Sequence, residues 1–253
     1  MKWGAAAGAV IASYLLYFFP NDSTLPPTKF CPTGWGYQNL STIHQQSTLT
    51  VTTFNAEWLF DGIDDSHRSF ETADDHIREI GEWIADVNSD VLNIVELEDC
   101  QVLQRVRNHM SRKQKKAFIS MAYATSSFDT ATRQTVGLIS KVPFFTPDGS
   151  PGITQSYDRA SFPADDSTCQ YNVQSKKKTS GVSKHWYGIM NVKEPIGEIL
   201  VIGAHLKARP NQPKSCSKRE AQSKVLAKIV QQHGNNRHVI LMGDLNDFDN
   251  DVK

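Results

Sequence analysis

Five polar residues stand just past the ends of short apolar, β-branched runs. Asn55 follows the run at 49–54, Glu96 follows 91–95, His205 follows 199–204, and Asp244 and Asn246 follow 239–242. The oxygens of Glu, Asp and Asn suit a hard cation such as Mg²⁺. A histidine beside such an ion can supply or accept a proton, or hydrogen-bond a phosphoryl oxygen. Together these groups suit attack of water on a phosphate ester. Each residue also has a purely structural reading. Asn55 would cap a turn, Glu96 with Glu98 and Asp99 would form a solvated acidic edge, and His205 would be a packed or surface histidine. Asp244 and Asn246 would shape the turn in Gly-Asp-Leu-Asn-Asp. Their joint order argues for one site, because strand ends are where a layered α/β domain gathers distant residues into one mouth.

The elements that must hold these residues follow from periodicity. Residues 49–54 alternate at period two and read as a strand. Residues 72–88 read as a helix, with Thr72 and Asp75 as a capping box and Ile77, Ile80, Ile84 and Val87 on one face. Residues 91–95 and 136–140 are buried strands, and 146–184, rich in Pro, Ser, Asp and Lys, is a long loop region with little core. Trp186–Val192 and Ile199–Ala204 form a strand pair turning at Pro195–Gly197. Ser217 and Glu220 open a second helix with Val225, Leu226, Ile229 and Val230 as its stripe and Gly234 at its C′ position. Residues 239–242 are the last strand. This order indicates α/β layers on a common core.

The chain has 253 residues, 39% of them hydrophobic and 21% charged, with zero formal net charge, an ordinary globular balance. Zero net charge argues against a protein that holds nucleic acid mainly through its overall field, but not against an enzyme that touches a few phosphates. Trp3 to Phe19 is uncharged and behind Lys2 reads as a signal peptide or an uncleaved signal anchor, so residues 1–19 are assigned to a leader able to attach the chain to a membrane. Residues 20–47, dominated by Pro, Ser, Thr, Asn and Gln, are assigned to a linker, and 48–253 to the folded domain. Sequons at Asn21 and Asn39 and four cysteines fit a secreted or membrane-anchored protein. Their spacing matches no zinc motif and leaves three complete pairings open. Cys169 with Cys216 is favoured because both lie in polar stretches, and Cys100 is expected to be a free core thiol.

The local context of the five residues resembles the endonuclease/exonuclease/phosphatase superfamily, the deoxyribonuclease I-like enzymes. The matching stretches are TTFNAEWLF around Asn55, DVLNIVELED at 90–99, VGLISKVP at 136–143, ILVIGAHLKA at 199–208 and LMGDLNDF at 241–248. The resemblance implies a four-layer α/β/β/α sandwich and a metal-dependent phosphodiester hydrolase using Mg²⁺ or Mn²⁺. Asp90 with Glu96 matches the family's D-x-x-x-x-x-E spacing, so Glu96 rather than Glu98 would be the metal ligand. Asn55 would sit beside the metal. His205 would bond the scissile phosphate or act as general acid, Asp244 would orient the nucleophile, and Asn246 would hold a phosphate oxygen.

One departure stands out. The family ends in an Asp-His pair, usually Ser-Asp-His, whose histidine is the general base. The chain stops at Lys253 without one; His185-Trp186 does not match, and Asp75-His76 lies on the first helix. The expectation is therefore a C-terminally incomplete sandwich, a fragment or truncated product with little activity alone. Nucleic acid is the first expected substrate, with basic clusters at Lys176–Lys178, at Arg112, Lys113, Lys115 and Lys116, and at Lys214, Lys218 and Arg219, each of which could also be a solvated face. The alternatives are a sphingomyelinase-like phospholipid phosphodiesterase, which an anchor would place at a lipid surface, and a binding module that kept the fold without the chemistry.

Overall fold

The computed structural model describes residues 48–63, 69–114, 119–122, 132–171 and 177–247. The leader at 1–19, the linker at 20–47, Lys115, Lys116 and Lys176 lie outside these residues. Among the described residues, no helix is long and apolar enough to cross a membrane.

The first sheet has the order β1-β2-β4-β3, from β1 (Val51–Leu59), β2 (Val91–Leu97), β3 (Ile119–Ala122) and β4 (Thr135–Ser140). β1 and β2 run parallel, while β4 is antiparallel to β2. A parallel pair needs a crossover, and α1 (Phe70–Val87) supplies it. Its N-cap is Ser69, whose side chain accepts from the Thr72 N–H. Thr72 thus sits in the first turn rather than capping the helix. A second helix, α2 (Cys100–Gln114), lies beside α1; sequence periodicity missed it because its charged face interrupts a short stripe of Val102, Leu103, Val106 and Met110.

The second sheet has the order β7-β8-β9, from β7 (His185–Val192), β8 (Gly197–His205) and β9 (His238–Asp244). β7 and β8 form the expected hairpin, with Val192 opposite Gly197. β9 is parallel to β8, joined to it through α3 (Pro213–His233). α3 begins earlier than the capping-box reading placed it, at Pro213, and Ser217 is buried within it. Proline suits the first helical turn because its missing N–H has no partner to lose there. Gly234 closes α3 with right-handed φ, its N–H bonding the Val230 carbonyl.

Three apolar clusters stack these pieces into four layers. Ile77, Ile84, Val106 and Met110 of the helix pair pack on Leu92, Ile94 and Ile139 of the first sheet. The other face of that sheet, through Val91, Val95, Val136 and Leu138, meets Trp186, Met190, Val201 and Met242 of the second. Behind the second sheet, Leu200, Ile202 and Ala204 receive Val225, Leu226 and Ile229 of α3. The order is helix, sheet, sheet, helix, the four-layer α/β/β/α sandwich that the resemblance implies.

A buried polar tie crosses the central layer. Trp186 Nε1 donates to Asn93 Oδ1 at 2.8 Å, and Asn93 Nδ2 donates to Thr53 Oγ1 at 3.1 Å. A side chain at Gly203 would come within 2.3 Å of both partners, so this position admits only hydrogen.

The 146–184 region is more structured than a loop. β5 (Ala160–Phe162) and β6 (Lys178–Ser180) pair, Phe145 and Thr154 bridge onto β7, and Ile153, Phe162 and Val182 are buried. The strands are too short for period-two alternation to register. Cys169 pairs with Cys216 of α3, with Cα atoms 5.7 Å apart, as favoured. Cys100 is not the free thiol expected: it too is disulfide-bonded, at the start of α2.

Candidate active site

The mouth of the sandwich is built where strands of both sheets end. In β2 the pairing slips between Val95 and Leu97 against both neighbours, leaving Glu96 unpaired with φ of 62°. Such a bulge re-aims a side chain, and a left-handed conformation at a glutamate is a local cost that surrounding structure must offset. Here it turns Glu96 out of the ladder. Glu98, two residues on, has other partners, accepting from the Asp61 N–H and from Arg133. Burial raises the Glu98 carboxyl above its ordinary range, only partly offset by the Asp61 N–H and Arg133.

In the second sheet His205 and Asp244 are register partners at the ends of β8 and β9. Their close approach depends on Gly243, whose φ is 148° and at which a Cβ would lie 1.8 Å from the Ala204 carbonyl oxygen. No side chain fits there.

Asn55 of β1 joins the two sheets. Its Nδ2 donates to Glu96 Oε1 at 3.1 Å and to Asp244 Oδ2 at 2.9 Å, while its Oδ1 accepts from the Glu57 N–H. One amide group therefore holds two carboxylates that would otherwise repel. His205 Nε2 lies 3.8 Å from Glu96 Oε1, beyond hydrogen-bond reach but close enough for both to contact one small group between them. His205 is buried. Asn246 has φ of 52°; its N–H donates to Asp244 Oδ1 at 2.9 Å and its Nδ2 to the Leu206 carbonyl at 3.1 Å. Thus Asn55, Glu96, His205 and Asp244 come together directly, and Asn246 is attached through the Asp244 turn.

Two site residues escaped sequence reasoning. Gln134 Nε2 donates to Glu96 Oε2 at 2.8 Å, and Lys184 Nζ donates to Gln134 Oε1 at 2.8 Å. They immediately precede β4 and β7, which run antiparallel to β2 and β8. The beginnings of antiparallel strands reach the same mouth as the ends of their partners, and a polar residue before a strand carries no signal of its own in the sequence. Asp90 lies at the other end of β2. There it accepts from the Thr50 N–H at 2.9 Å and pairs with Lys141 at 3.2 Å, so its place in the motif is structural.

The donor set can be tested against a divalent cation. Among the described residues, no three His, Cys, Asp or Glu side chains close into a metal cage. Mg²⁺ needs no such cage: it keeps several waters and takes one or two carboxylates. Glu96 accepts one N–H on each oxygen, leaving lone pairs on both for a hard ion. The residues present fit an ion of that kind.

No protein-family model matches the chain, and no curated protein matches it. Solved structures do. TDP2 from C. elegans is 14% identical with a TM-score of 0.44, the match covering 81% of this chain and 50% of that one. A beta hairpin deletion mutant of beta toxin from Staphylococcus aureus is 14% identical with a TM-score of 0.43, covering 79% and 68%. ANGEL2, described as a 2′,3′-cyclic phosphatase and solved with adenosine-2′,3′-vanadate, is 14% identical with a TM-score of 0.44, covering 78% and 53%. The chain spans about half the length of the first of these. Similarity this distant carries no residue's role across.

Proposed function

We propose that the chain carries the core of a metal-assisted phosphodiester hydrolase, of nuclease type. The observation that carries this reading is the Asn55 amide bonded at once to Glu96 of one sheet and Asp244 of the other, with His205 Nε2 3.8 Å from Glu96. A structural turn or a solvated acidic edge has no need to converge across two sheets, nor to hold Glu96 and Asn246 at positive φ.

In this reading Glu96 is the principal ligand of a Mg²⁺ or Mn²⁺ ion, which when bound polarises a phosphoryl oxygen. Asn55 fixes the ligand's orientation and spaces it from Asp244. Asp244 accepts a hydrogen bond from, and so orients, an attacking water. His205 Nε2 bonds a non-bridging phosphate oxygen or gives a proton to the leaving oxygen. Asn246, with one amide N–H held by Leu206, offers its second to a phosphate oxygen. Gln134 and Lys184 position Glu96 from behind.

The leader, the sequons and the disulfides support a secreted or membrane-anchored protein of the secretory pathway, since disulfides persist in oxidising compartments. A nucleic-acid substrate is favoured over a phospholipid because Lys207 and Lys218 gather in a cavity whose chain adjoins His205 and Lys184.

Nicking of supercoiled plasmid, set against phosphocholine release from sphingomyelin vesicles, tests the proposal. The expected result is Mg²⁺- or Mn²⁺-dependent nicking that falls about 10²-fold or more with His205→Ala or Asp244→Ala. Phosphocholine release without nicking would replace the nuclease by the phospholipid enzyme. Metal binding with no turnover of either ester would favour the binding module.

A further inference from the structure

Beside the mouth, on its α3 side, lies a cavity of about 360 Å³ that the reaction as described does not use. It is lined by the turn between β6 and β7 (Gly181–Ser183), by Arg159, and by Lys207 and Lys218. Its walls are tied together by Gln222 of α3, whose Oε1 accepts from the Lys207 N–H at 2.9 Å and whose Nε2 donates to the Gly181 carbonyl at 3.3 Å. The cavity is continuous in chain with the candidate active site on two sides. Lys207 is two residues past His205, and Ser183 adjoins Lys184, which reaches Glu96 through Gln134.

Its charge is unbalanced. Asp158 is the one carboxylate among the lining residues, and its Oδ2 lies 3.8 Å from Lys228 Nζ. Lys207 and Lys218 have no carboxylate partner among the described residues, and Lys218 Nζ instead sits 5.8 Å over the Phe162 ring. Burial first, then the charges of Lys207, Lys214 and Lys178, hold the Lys218 ammonium below its ordinary value. Cations crowded without counter-charge gain most from an incoming anion.

We infer that this cavity is a second anion subsite, formed by Lys207, Lys218 and Arg159, that holds a phosphate of a nucleic-acid strand next to the one being cleaved. The inference rests on the hydrolase reading, since it takes the mouth as the place where the scissile phosphate lies. A strand entering there carries regularly spaced negative charges, and a neighbouring phosphate would fall beyond the metal-side groups. A zwitterionic phosphocholine headgroup has no second phosphate to offer. Gln222 is a positioning residue, setting the Lys207 backbone against the Gly181 turn.

Equilibrium binding of a fluorescent single-stranded oligonucleotide, with EDTA present so that no metal contributes, tests the subsite. The Lys207→Gln/Lys218→Gln double variant should bind at least 10-fold more weakly at low salt. Its log K against log[salt] slope should be shallower by about 0.7, the single-strand value for the one phosphate the subsite holds. Both lysines are on the surface of the cavity, and an unchanged melting temperature separates lost contacts from lost fold. Mn²⁺ titration of the same variant should be unaltered, whereas Glu96→Ala should lose Mn²⁺ binding and keep the salt slope. A double variant with unchanged oligonucleotide affinity and slope overturns the subsite while leaving the metal reading intact. Binding of anionic phospholipid vesicles through these lysines without oligonucleotide binding also overturns it. Loss of oligonucleotide binding in the lysine variant alongside a wild-type chain that takes no Mn²⁺ would sink the hydrolase reading and not the anion site.

Discussion

At the scale of single residues, the site is a set of local costs held in place by its neighbours. Glu96 and Asn246 take positive φ, and Gly243 tolerates a contact no other residue could. Asn55 is where those costs are offset, since one amide satisfies two carboxylates from different sheets. Removing it leaves Glu96 and Asp244 facing each other without a shared donor. Asn55→Ala is therefore expected to weaken Mn²⁺ binding about 10- to 100-fold, the usual effect of losing a residue that orients a ligand. Calorimetric titration measures this, and an unchanged affinity would show that Asn55 positions nothing. The Glu96 and Glu98 pair shows how far residue type alone reaches. Both are carboxylates near one strand end, yet only the bulge at Glu96 sends it to the mouth, while Glu98 goes to Arg133 and the Asp61 N–H. The family spacing from Asp90 picks Glu96, and the structure gives the mechanical reason.

At the scale of elements, the strand ends were legible because β-branched runs in this chain are short and end in polar residues. The helix α2 and the strands β5 and β6 were not. A helix with a charged solvent face and a narrow stripe, and strands of three residues, leave too little periodic signal. His185 at the start of β7 matches no catalytic motif, and its role is structural. It is wholly buried, its Nδ1–H donates to the Val182 carbonyl, and its Nε2 accepts from the Ser156 N–H at 2.9 Å. The Nε2 bond requires the neutral ring, since a protonated Nε2 has no lone pair with which to accept. Burial lowers its pKa from 6.5 to about 4, against the smaller upward pull of the Val182 carbonyl. Between these values the unfolded chain binds the proton and the folded one does not, so stability falls as pH drops from about 6.5 to about 4. The loss is on the order of 3 kcal/mol. Urea midpoints across that range should show the slope, and His185→Gln should flatten it. A wild-type midpoint independent of pH there would contradict the account.

At the scale of the whole molecule, the four layers depend on contacts that no local pattern announces. Asn93 reads as a polar interruption of a buried strand, yet it is the acceptor that ties Trp186 across the two sheets. Its partner is 93 residues away, a distance over which sequence spacing says nothing. The Cys169–Cys216 disulfide was chosen from the polarity of its surroundings, and the structure adds its purpose, fixing the 146–184 region to α3. It closes a separation of 47 residues. Loop-closure entropy over that span predicts a stabilisation of about 4 kcal/mol. Cys169→Ser/Cys216→Ser should lower the urea-unfolding free energy by an amount in that range, and an unchanged value would mean the region is held without it.

The central claim is that residues from both sheets serve one ion. Substoichiometric Mn²⁺, followed by nuclear magnetic resonance of the histidine rings, tests it most directly. His205 adjoins Glu96, whereas His238 begins β9, about 20 Å from its Asp244 end at roughly 3.3 Å per residue. The His205 ring signals should broaden at the lowest additions, those of His238 far less, and Glu96→Ala should abolish the difference. Equal broadening of both rings, or selective broadening of His205 that survives Glu96→Ala, would contradict it.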